Sequence, residues 1–168
     1  MEKLMVGTHQ GVYRYDPGTG EAAQEEGIGS ARLLASGPSC TYAVDQYGVL
    51  WSRDSATGWQ IRNEAPVSED IWSIGADPNV QDLVYLGVSP AMLYRSTDGG
   101  RTFQECDSMR RLQGYESWSF PPPPHIPHVR HILADPQRPG GVYIGVEEGG
   151  CYFSDDGGDS WESLNEGL

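Results

Sequence analysis

The chain has 168 residues, which is long enough to bury a sizeable core as one domain. Its 22 glycines, 12 prolines and 10% aromatic residues favour a turn-rich β protein, because no window combines a helical apolar period with caps at both ends. A net charge of −13 repels phosphate groups, so neither nucleic acid nor an anionic membrane is expected as a partner. The sequence contains no apolar run long enough to cross a membrane.

The amino-terminal residues 1–7 carry no apolar leader and run directly into strand-like sequence. The three cysteines, Cys40, Cys106 and Cys151, are odd in number and scattered along the chain. Such a set favours reduced thiols over a disulfide framework. We therefore expect a cytoplasmic protein.

The first half of the chain contains two units of strand-like runs, each leading to an aspartate turn. In the first unit, residues 4–7 form such a run and Asp16 marks the turn. The second unit begins one run earlier, at residues 31–38, which stop at Pro38, and it reaches its turn at Asp54. Since proline cannot continue a strand ladder, the early run should be a strand that ends there. The first unit has no such run and should lack its innermost strand.

The second half repeats this unit twice, more clearly. Residues 71–78 (IWSIGADP) match residues 129–136 (VRHILADP), and residues 84–88 (VYLGV) match residues 142–146 (VYIGV). Both copies then read Ser-x-Asp-x-Gly-x-Thr/Ser-aromatic. That pattern is typical of a β-hairpin, in which glycine supplies a positive φ and the aspartate accepts hydrogen bonds from the turn.

Each complete unit therefore predicts four antiparallel strands in about 40 residues, the period of propeller blades. We predict an all-β fold, a half β-propeller of about four four-stranded blades, as one domain over residues 1–168. The predicted blades cover approximately residues 1–28, 29–68, 69–108 and 128–168. Residues 109–127 form a Pro-rich insertion, in which Pro121 to Pro124 should adopt a stiff polyproline conformation.

The repeated hairpin resembles the Asp box, or bacterial neuraminidase repeat, of sialidases, the sortilin ectodomain and photosystem II assembly factors. The copies at Asp98 and Asp156 are strong; the copy at Asp54 is partial, with Ala56 in the glycine place and Gly58 in the threonine place, and that at Asp16 is vestigial. In that family the box is a structural turn between the third and fourth strands of a blade. The resemblance implies structural roles for Ser52, Asp54, Trp59, Ser96, Asp98, Gly100, Thr102, Phe103, Ser154, Asp156, Gly158, Ser160 and Trp161.

A half-ring of four blades leaves the apolar faces of its two end blades uncovered. We expect two chains to close the ring as a homodimer, because a blade cannot bury both faces alone and a dimer needs only this one chain. Closure by a separate partner, or by four blades alone in a tight ring, are the alternatives.

Propeller ligands usually bind at the channel mouth, on the first strands and the loops between blades. The candidate ligand-binding residues come from these places: Arg32, Trp72, Trp118, His125, His128, Arg130 and His131. Three histidines at intervals of three could meet a metal ion, but histidines hydrogen-bonded within a loop over the channel are expected instead. No metal or cofactor is predicted. Trp118 either stacks on a ligand or fastens the insertion to the blades.

The sequence contains no nucleophile elbow, phosphate loop, dinucleotide fingerprint or paired-cysteine zinc pattern. The sialidases that the hairpins resemble use an arginine triad, and here Arg32 and Arg130 occupy equivalent places while the third is Trp72. The expected function is therefore a non-catalytic binding or scaffolding module for a protein or small-molecule ligand at the channel mouth. The alternative is a sialidase-like glycoside hydrolase or lyase.

Overall fold

A computed structural model describes residues 3–167, which form fifteen strands in four antiparallel sheets. The first sheet (blade one) contains β1 (Leu4–Thr8), β2 (Gly11–Asp16) and β3 (Glu21–Gln24). The second sheet (blade two) contains β4 (Leu33–Ser36), β5 (Thr41–Val44), β6 (Leu50–Asp54) and β7 (Gly58–Asn63). The third sheet (blade three) contains β8 (Asp70–Ala76), β9 (Val84–Ser89), β10 (Met92–Ser96) and β11 (Gln104–Glu105). The fourth sheet (blade four) contains β12 (Val129–Ala134), β13 (Val142–Val146), β14 (Gly150–Ser154) and β15 (Glu162–Ser163).

The blades are arranged around their first strands. β8 packs beside β4 on one side and beside β12 on the other, whereas the outer strands of different blades diverge. Blade one has three strands, and its β1 corresponds to the second strand of the other blades, because the turn residue Asp16 ends the next strand, β2. The prediction of a half-propeller of about four blades, the first lacking its innermost strand, is confirmed for the described residues.

The core lies between the sheets. The larger cluster joins blades two, three and four and includes the fully buried Leu50, Leu86, Leu93 and Ile144. The smaller cluster joins blades one and two and is formed by Val12, Ile28, Ala31, Ala43 and Trp59. Since alternate strand residues point to opposite faces, each inner blade contributes to both of its neighbours.

Blades three and four approach closely because two positions of blade three lack a side chain. A Cβ atom on Gly75 would lie 2.5 Å from Ile132 Cγ2, and one on Gly87 would lie 2.7 Å from Val129 Cγ1. Ser73 pairs with Gly87, and its buried hydroxyl donates a hydrogen bond to the Val129 carbonyl of blade four (2.7 Å). The neighbouring first strands are thus joined by packing and by a buried polar contact.

A buried aspartate in the loop after β8 also joins these two blades. Asp77 is 0% exposed, and its Oδ1 accepts the backbone N–H groups of Asn79 (2.7 Å) and Val80 (2.9 Å). Its other oxygen accepts the Gly140 N–H of blade four (2.7 Å). A buried carboxylate is costly unless its lone pairs are satisfied, so this residue depends on both loops being in place.

The two strong hairpin motifs form identical hydrogen-bonded turns. In blade four, Asp156 Oδ1 accepts the N–H groups of Asp159 (2.9 Å) and Ser160 (2.8 Å), and Asp156 Oδ2 accepts the Ser160 hydroxyl (2.6 Å). The Ser154 hydroxyl donates to Asp156 Oδ1 and accepts the Gly158 N–H (2.7 Å each). In blade three, Ser96, Asp98, Gly100 and Thr102 form the same set of bonds. These residues build the turn.

The partial copy in blade two differs from the sequence expectation by one residue. Asp54 accepts the N–H and hydroxyl of Thr57 (2.7 and 2.9 Å) and the N–H of Ala56, so Thr57, not Gly58, takes the threonine role. The reason is register: Gly58 already pairs with Asp54 as the first residue of β7, which leaves a shorter turn. The Asp16 side chain of blade one accepts the N–H groups of Gly18 and Thr19 through Oδ1, and no side-chain hydroxyl group of this turn bonds to it among the described residues.

The segment between blades three and four contains two short 3₁₀ helices, Asp107–Arg111 and Tyr115–Ser117. The expected polyproline conformation of Pro121 to Pro124 is wrong. The chain turns there, and the His125 N–H donates to the Pro122 carbonyl (3.0 Å) while His125 Nδ1 donates to the Phe120 carbonyl (2.8 Å). Polyproline has no internal hydrogen bonds, so these contacts favour the turn. Within residues 3–167, no helix is long and apolar enough to cross a membrane.

We expect Gly87→Ala to destabilise the protein by about 1–3 kcal/mol, because the added methyl group overpacks the junction of blades three and four. The contacts with Val129 and Ser73 cannot both be kept. Gly29→Ala is the matched control, since a Cβ there meets nothing within 4 Å and its φ is not positive. Urea unfolding measures both; equal stability of the two variants would contradict the close approach.

Asp156→Ala should destabilise the protein by about 1–3 kcal/mol at neutral pH, because four hydrogen bonds to the carboxylate are lost. Burial by itself raises the pKa of Asp156, but the hydrogen bonds from Ser160, Ser154 and Asp159 outweigh it and lower this pKa from 3.8 to about 2. Stability that depends on the charged form is therefore present above pH 3.8 and is lost as the pH falls towards about 2.

The difference in unfolding free energy between wild type and Asp156→Ala should accordingly shrink across that pH range. Asp155→Ala is the control in the same turn, because its exposed carboxylate forms no hydrogen bond in the described structure. Urea titrations at several pH values test this. A difference that stays constant down to the lowest pH would contradict a stabilising charge at Asp156.

Candidate functional site

Two neighbouring first strands carry a β-bulge at the same position. In blade three, Ile71 pairs with Val88 and Ser73 with Gly87, so Trp72 is the extra residue. In blade four, Val129 pairs with Val146 and His131 with Gly145, so Arg130 is the extra residue. A bulge re-aims the side chain of the strand that carries it. The repeat thus presents Trp72 and Arg130 from equivalent places on adjacent blades.

These two side chains meet in an aromatic cluster, which we call the Trp72 cluster and which consists of Trp72, Phe120, His128 and Arg130. The rings of Trp72 and His128 are parallel, with centroids 3.8 Å apart and an angle of 4°. The Arg130 guanidinium lies 5.3 Å from the Trp72 ring centroid, within cation–π range. Phe120 contacts the His128 ring at 4.9 Å. Trp72 is half-buried and Arg130 is exposed, so the cluster has a solvent-facing side.

His128 supports this cluster from within the protein. Its side chain is buried, with 5% of the residue exposed, and Nδ1 lies 3.0 Å from the Ser89 hydroxyl. Its Nε2 lies 3.8 Å from Glu147 Oε2, and the Glu147 N–H donates to the His128 carbonyl (3.0 Å). The prediction that His128 faces a ligand is therefore not supported: the ring forms the floor on which Trp72 is stacked.

Sequence reasoning did not single out Ser89 and Glu147, which hold His128 in place. A signal was present, because each residue directly follows the repeated run VYLGV or VYIGV: Ser89 is the last residue of β9, and Glu147 comes just after β13. The two positions are equivalent in the repeat. Their meeting around one histidine depends on the path of the long connection between blades, which local pattern does not encode.

Arg32 occupies the third equivalent place, just before β4, but its guanidinium is used inside the structure. Its Nε donates to the Asp45 carbonyl (3.1 Å) and its Nη1 donates to the Ile71 carbonyl of blade three (2.6 Å). It also borders a groove of about 260 Å³ that contains Glu64, Glu69 and Asp70. Arg32 therefore braces the bulge of blade three through its backbone, while Arg130 approaches the Trp72 ring.

The remaining candidate residues lie elsewhere. Trp118 packs against Tyr115 (5.1 Å) and Tyr152 (5.6 Å) beside the main core, so it fastens the insertion to blade four. His125 is exposed and closes the turn to Phe120. His131 is exposed in β12 and lines a shallow groove of about 420 Å³ along the first strands. His125, His128 and His131 therefore lie in three different environments and do not form one site.

The described residues favour neither a metal site nor a reactive cysteine. Among residues 3–167, no three His, Cys, Asp or Glu side chains come close enough to hold a metal ion. Burial raises the pKa of the Cys106 thiol to about 11, which leaves it protonated at neutral pH and poorly nucleophilic. The described site is therefore an aromatic and cationic surface.

No family model matches the sequence, and no curated protein matches it significantly. Solved structures match over nearly the whole chain. YCF48 bound to D1 peptide is 19% identical, with a TM-score of 0.68 over 98% of this chain and 50% of that one. YCF48 from Cyanidioschyzon merolae is 16% identical, with a TM-score of 0.68 over 98% of this chain and 53% of that one.

The GH74 xyloglucanase from Xanthomonas campestris is 17% identical, with a TM-score of 0.66 over 99% of this chain and 29% of the enzyme. The GH74 enzyme from Niastella koreensis is 16% identical, with a TM-score of 0.64 over 97% of this chain and 22% of the enzyme. The chain thus spans about half the length of the YCF48 proteins and less than a third of the GH74 enzymes. Identities this low show the fold alone, which is a half β-propeller of about four blades.

Proposed function

We propose that this chain is a non-catalytic binding module that holds a peptide segment of a partner protein against the Trp72 cluster. The observation that carries the proposal is the pair of equivalent bulges, which bring the half-buried Trp72 and the exposed Arg130 together at 5.3 Å. A bulge interrupts the ladder and is commonly found where a side chain must be aimed at a site. Aromatic and arginine side chains are also those that contribute most at protein interfaces.

The charge distribution favours a ligand group with a carboxylate. The chain carries −13 overall, whereas the exposed Arg130 guanidinium beside Trp72 supplies a local positive charge. The Arg130 guanidinium lies over the Trp72 ring and the residue is exposed, so its N–H groups can make a bidentate contact with a carboxylate. We therefore propose an acidic side chain or a carboxyl terminus as the anchoring group, with a neighbouring apolar side chain on Trp72.

The similarity to YCF48 supports a peptide ligand, because one of those structures holds a peptide on a propeller of similar shape. The similarity to GH74 enzymes keeps a glycoside hydrolase or lyase as the second candidate. Against it stands the use of Arg32: its Nε and Nη1 donate to backbone carbonyls, so only part of its guanidinium is left for a substrate carboxylate. A binding module needs only an aromatic and cationic surface, whereas a sialidase-like enzyme would need further groups for its substrate.

The proposal includes two points about the protein as a whole. The hairpins at Asp98 and Asp156, with their reciprocal Ser–Asp–Thr/Ser bonds, support membership of the Asp-box propellers. Cys40, Cys106 and Cys151 are all free thiols, which is in keeping with a reducing, cytoplasmic location. Cell fractionation would test the location, and an export to an oxidising compartment would contradict it.

The test begins with selection of a phage-displayed random peptide library on the wild-type protein. The enriched peptide is labelled and titrated by fluorescence anisotropy. Arg130→Gln should weaken binding by about tenfold or more, since a charge-assisted hydrogen bond contributes about 1.5–3 kcal/mol. Trp72→Ala should weaken it further. Arg111→Gln is the control, because Arg111 is exposed and lies in a different groove, beside Arg95 and Asp159.

The same protein is assayed with fluorogenic glycosides and with xyloglucan oligosaccharides. Enrichment of peptides with a carboxylate anchor, their loss on Arg130→Gln and an absence of turnover together support the binding module. Failure to enrich any peptide, or equal affinity of wild type and Arg130→Gln, contradicts it. Turnover that depends on Trp72 would establish the glycosidase instead.

A further inference from the structure

We propose that the two open end faces of the half-ring are halves of one interface, and that two copies of the chain close the ring head to tail. The blade-one face consists of Leu4, Val6, Tyr13 and Tyr15. The blade-four face consists of Leu133 and Tyr143, which lie beside the buried Phe153. Each copy would place its blade-one face against the blade-four face of the other, which gives two identical junctions related by a twofold axis.

The blade-one face is built as a blade junction that lacks its neighbour. Val6 pairs with Tyr13 and Leu4 with Tyr15, while Met5 and Gly7 alternate with them towards blade two. Val6 precedes Gly7 as Leu86 precedes Gly87 and Ile144 precedes Gly145. Leu86 and Ile144 are 0% and 1% exposed beneath a preceding blade, whereas Val6 is 43% and Leu4 is 53% exposed. The same repeat position is thus buried wherever a neighbour exists.

The blade-four face is the opposite half of such a junction. Leu133 pairs with Tyr143, and Tyr143 with Phe153. The equivalent row in blade three is Gly75, Tyr85 and Arg95, which blade four covers. Tyr85 is fully buried there, and Arg95 donates to the Gly157 carbonyl in the blade-four hairpin (3.0 Å). Blade four therefore presents the surface that blade three uses to bind its successor.

One difference between the cross-strand rows of blades three and four favours blade one of a second copy as the partner. The covered blades have a small residue at the first position, Ala35 in blade two and Gly75 in blade three, and Gly75 needs its small size because it touches Ile132 of the next innermost strand. Blade four has Leu133 instead, which is 54% exposed. A leucine at this position would clash with the innermost strand of a complete next blade, but it fits a next blade in which that strand is missing.

Blade one is the blade of this chain that lacks that strand. Beside β1, where the strand would run, lies a cavity of about 500 Å³ bordered by Leu4, Met5 and Leu34. An incoming Leu133 from a second copy would enter this space and bury apolar surface on both sides. One chain aligns with 50% to 53% of the YCF48 chains, so two copies together would match the length of one of them.

The wild-type chain at micromolar concentration is examined by sedimentation velocity and light scattering. We expect twice the 18.4 kDa chain mass. Since each copy carries −13, added salt should strengthen the dimer by screening the repulsion between the copies. A monomer at every concentration and salt level would overturn the proposal, whether the end faces are then covered by another protein or by further chain.

The variants test both faces. Val6→Asp and Leu133→Asp should each weaken dimerisation by about 100-fold or more, because each would bury an unpaired charge in the junction. Leu133→Gly, which restores the residue of blade three, should weaken it by about tenfold through the lost side chain. Ile61→Asp is the control at a similarly exposed apolar residue in β7. Circular dichroism and thermal melting show that the variants remain folded.

Mixing distinguishes the head-to-tail arrangement from a contact between like faces. Val6→Asp mixed with Leu133→Asp gives a pair in which one junction is fully wild type, so the mixture should contain dimer while each variant alone is monomeric. If either variant alone remains as dimeric as wild type, only like faces are in contact and the proposal is wrong. Loss of the dimer in Ile61→Asp would likewise overturn it.

Discussion

The structure depends on the need of every sheet to have both of its faces covered. A blade is apolar on both sides, and its burial is the main source of stability for the fold. This need explains why blades three and four approach as closely as Gly75 and Gly87 allow, and why Ser73 and Asp77 satisfy their polar groups across the junction. It also explains the exposed apolar residues at the two ends of the half-ring. The same constraint therefore accounts for the packed interior and for the unpacked ends.

The candidate site follows from the way in which this repeat is interrupted. In a regular first strand, Trp72 and Arg130 would each point to the equivalent face of its own sheet. The bulges release both residues from the ladder, and the stacked His128 gives Trp72 a rigid support. Because His128 belongs to the connection between blades three and four, that connection is part of the site. The connection thus contributes both the buried His128, which supports Trp72, and Phe120, which packs against His128.

Features with a local cause could be predicted from the sequence. The hairpins at Asp98 and Asp156 close within six residues of the serine that begins them, so the motif contains every group that forms the turn. The absence of an early strand in the first unit was equally visible. Trp72 and Arg130 were found because they share one repeat position. In contrast, the contact of His128 with Ser89 joins residues 39 positions apart, and that of Asp77 with Gly140 joins residues 63 apart. No local pattern specifies such meetings. The turn at Pro121 to Pro124 is held by local contacts of His125, and it was missed because the prediction rested on the run of prolines alone.

The outermost strands of blades three and four have a consequence for how this protein meets others. β11 and β15 are only two residues long, and each contains a glutamate, Glu105 or Glu162. A strand this short offers few free N–H and C=O groups, and its charge discourages a second sheet from aligning with it. The rim of these blades is therefore a poor template for uncontrolled strand-to-strand growth into fibrils, even though nearby apolar faces are exposed.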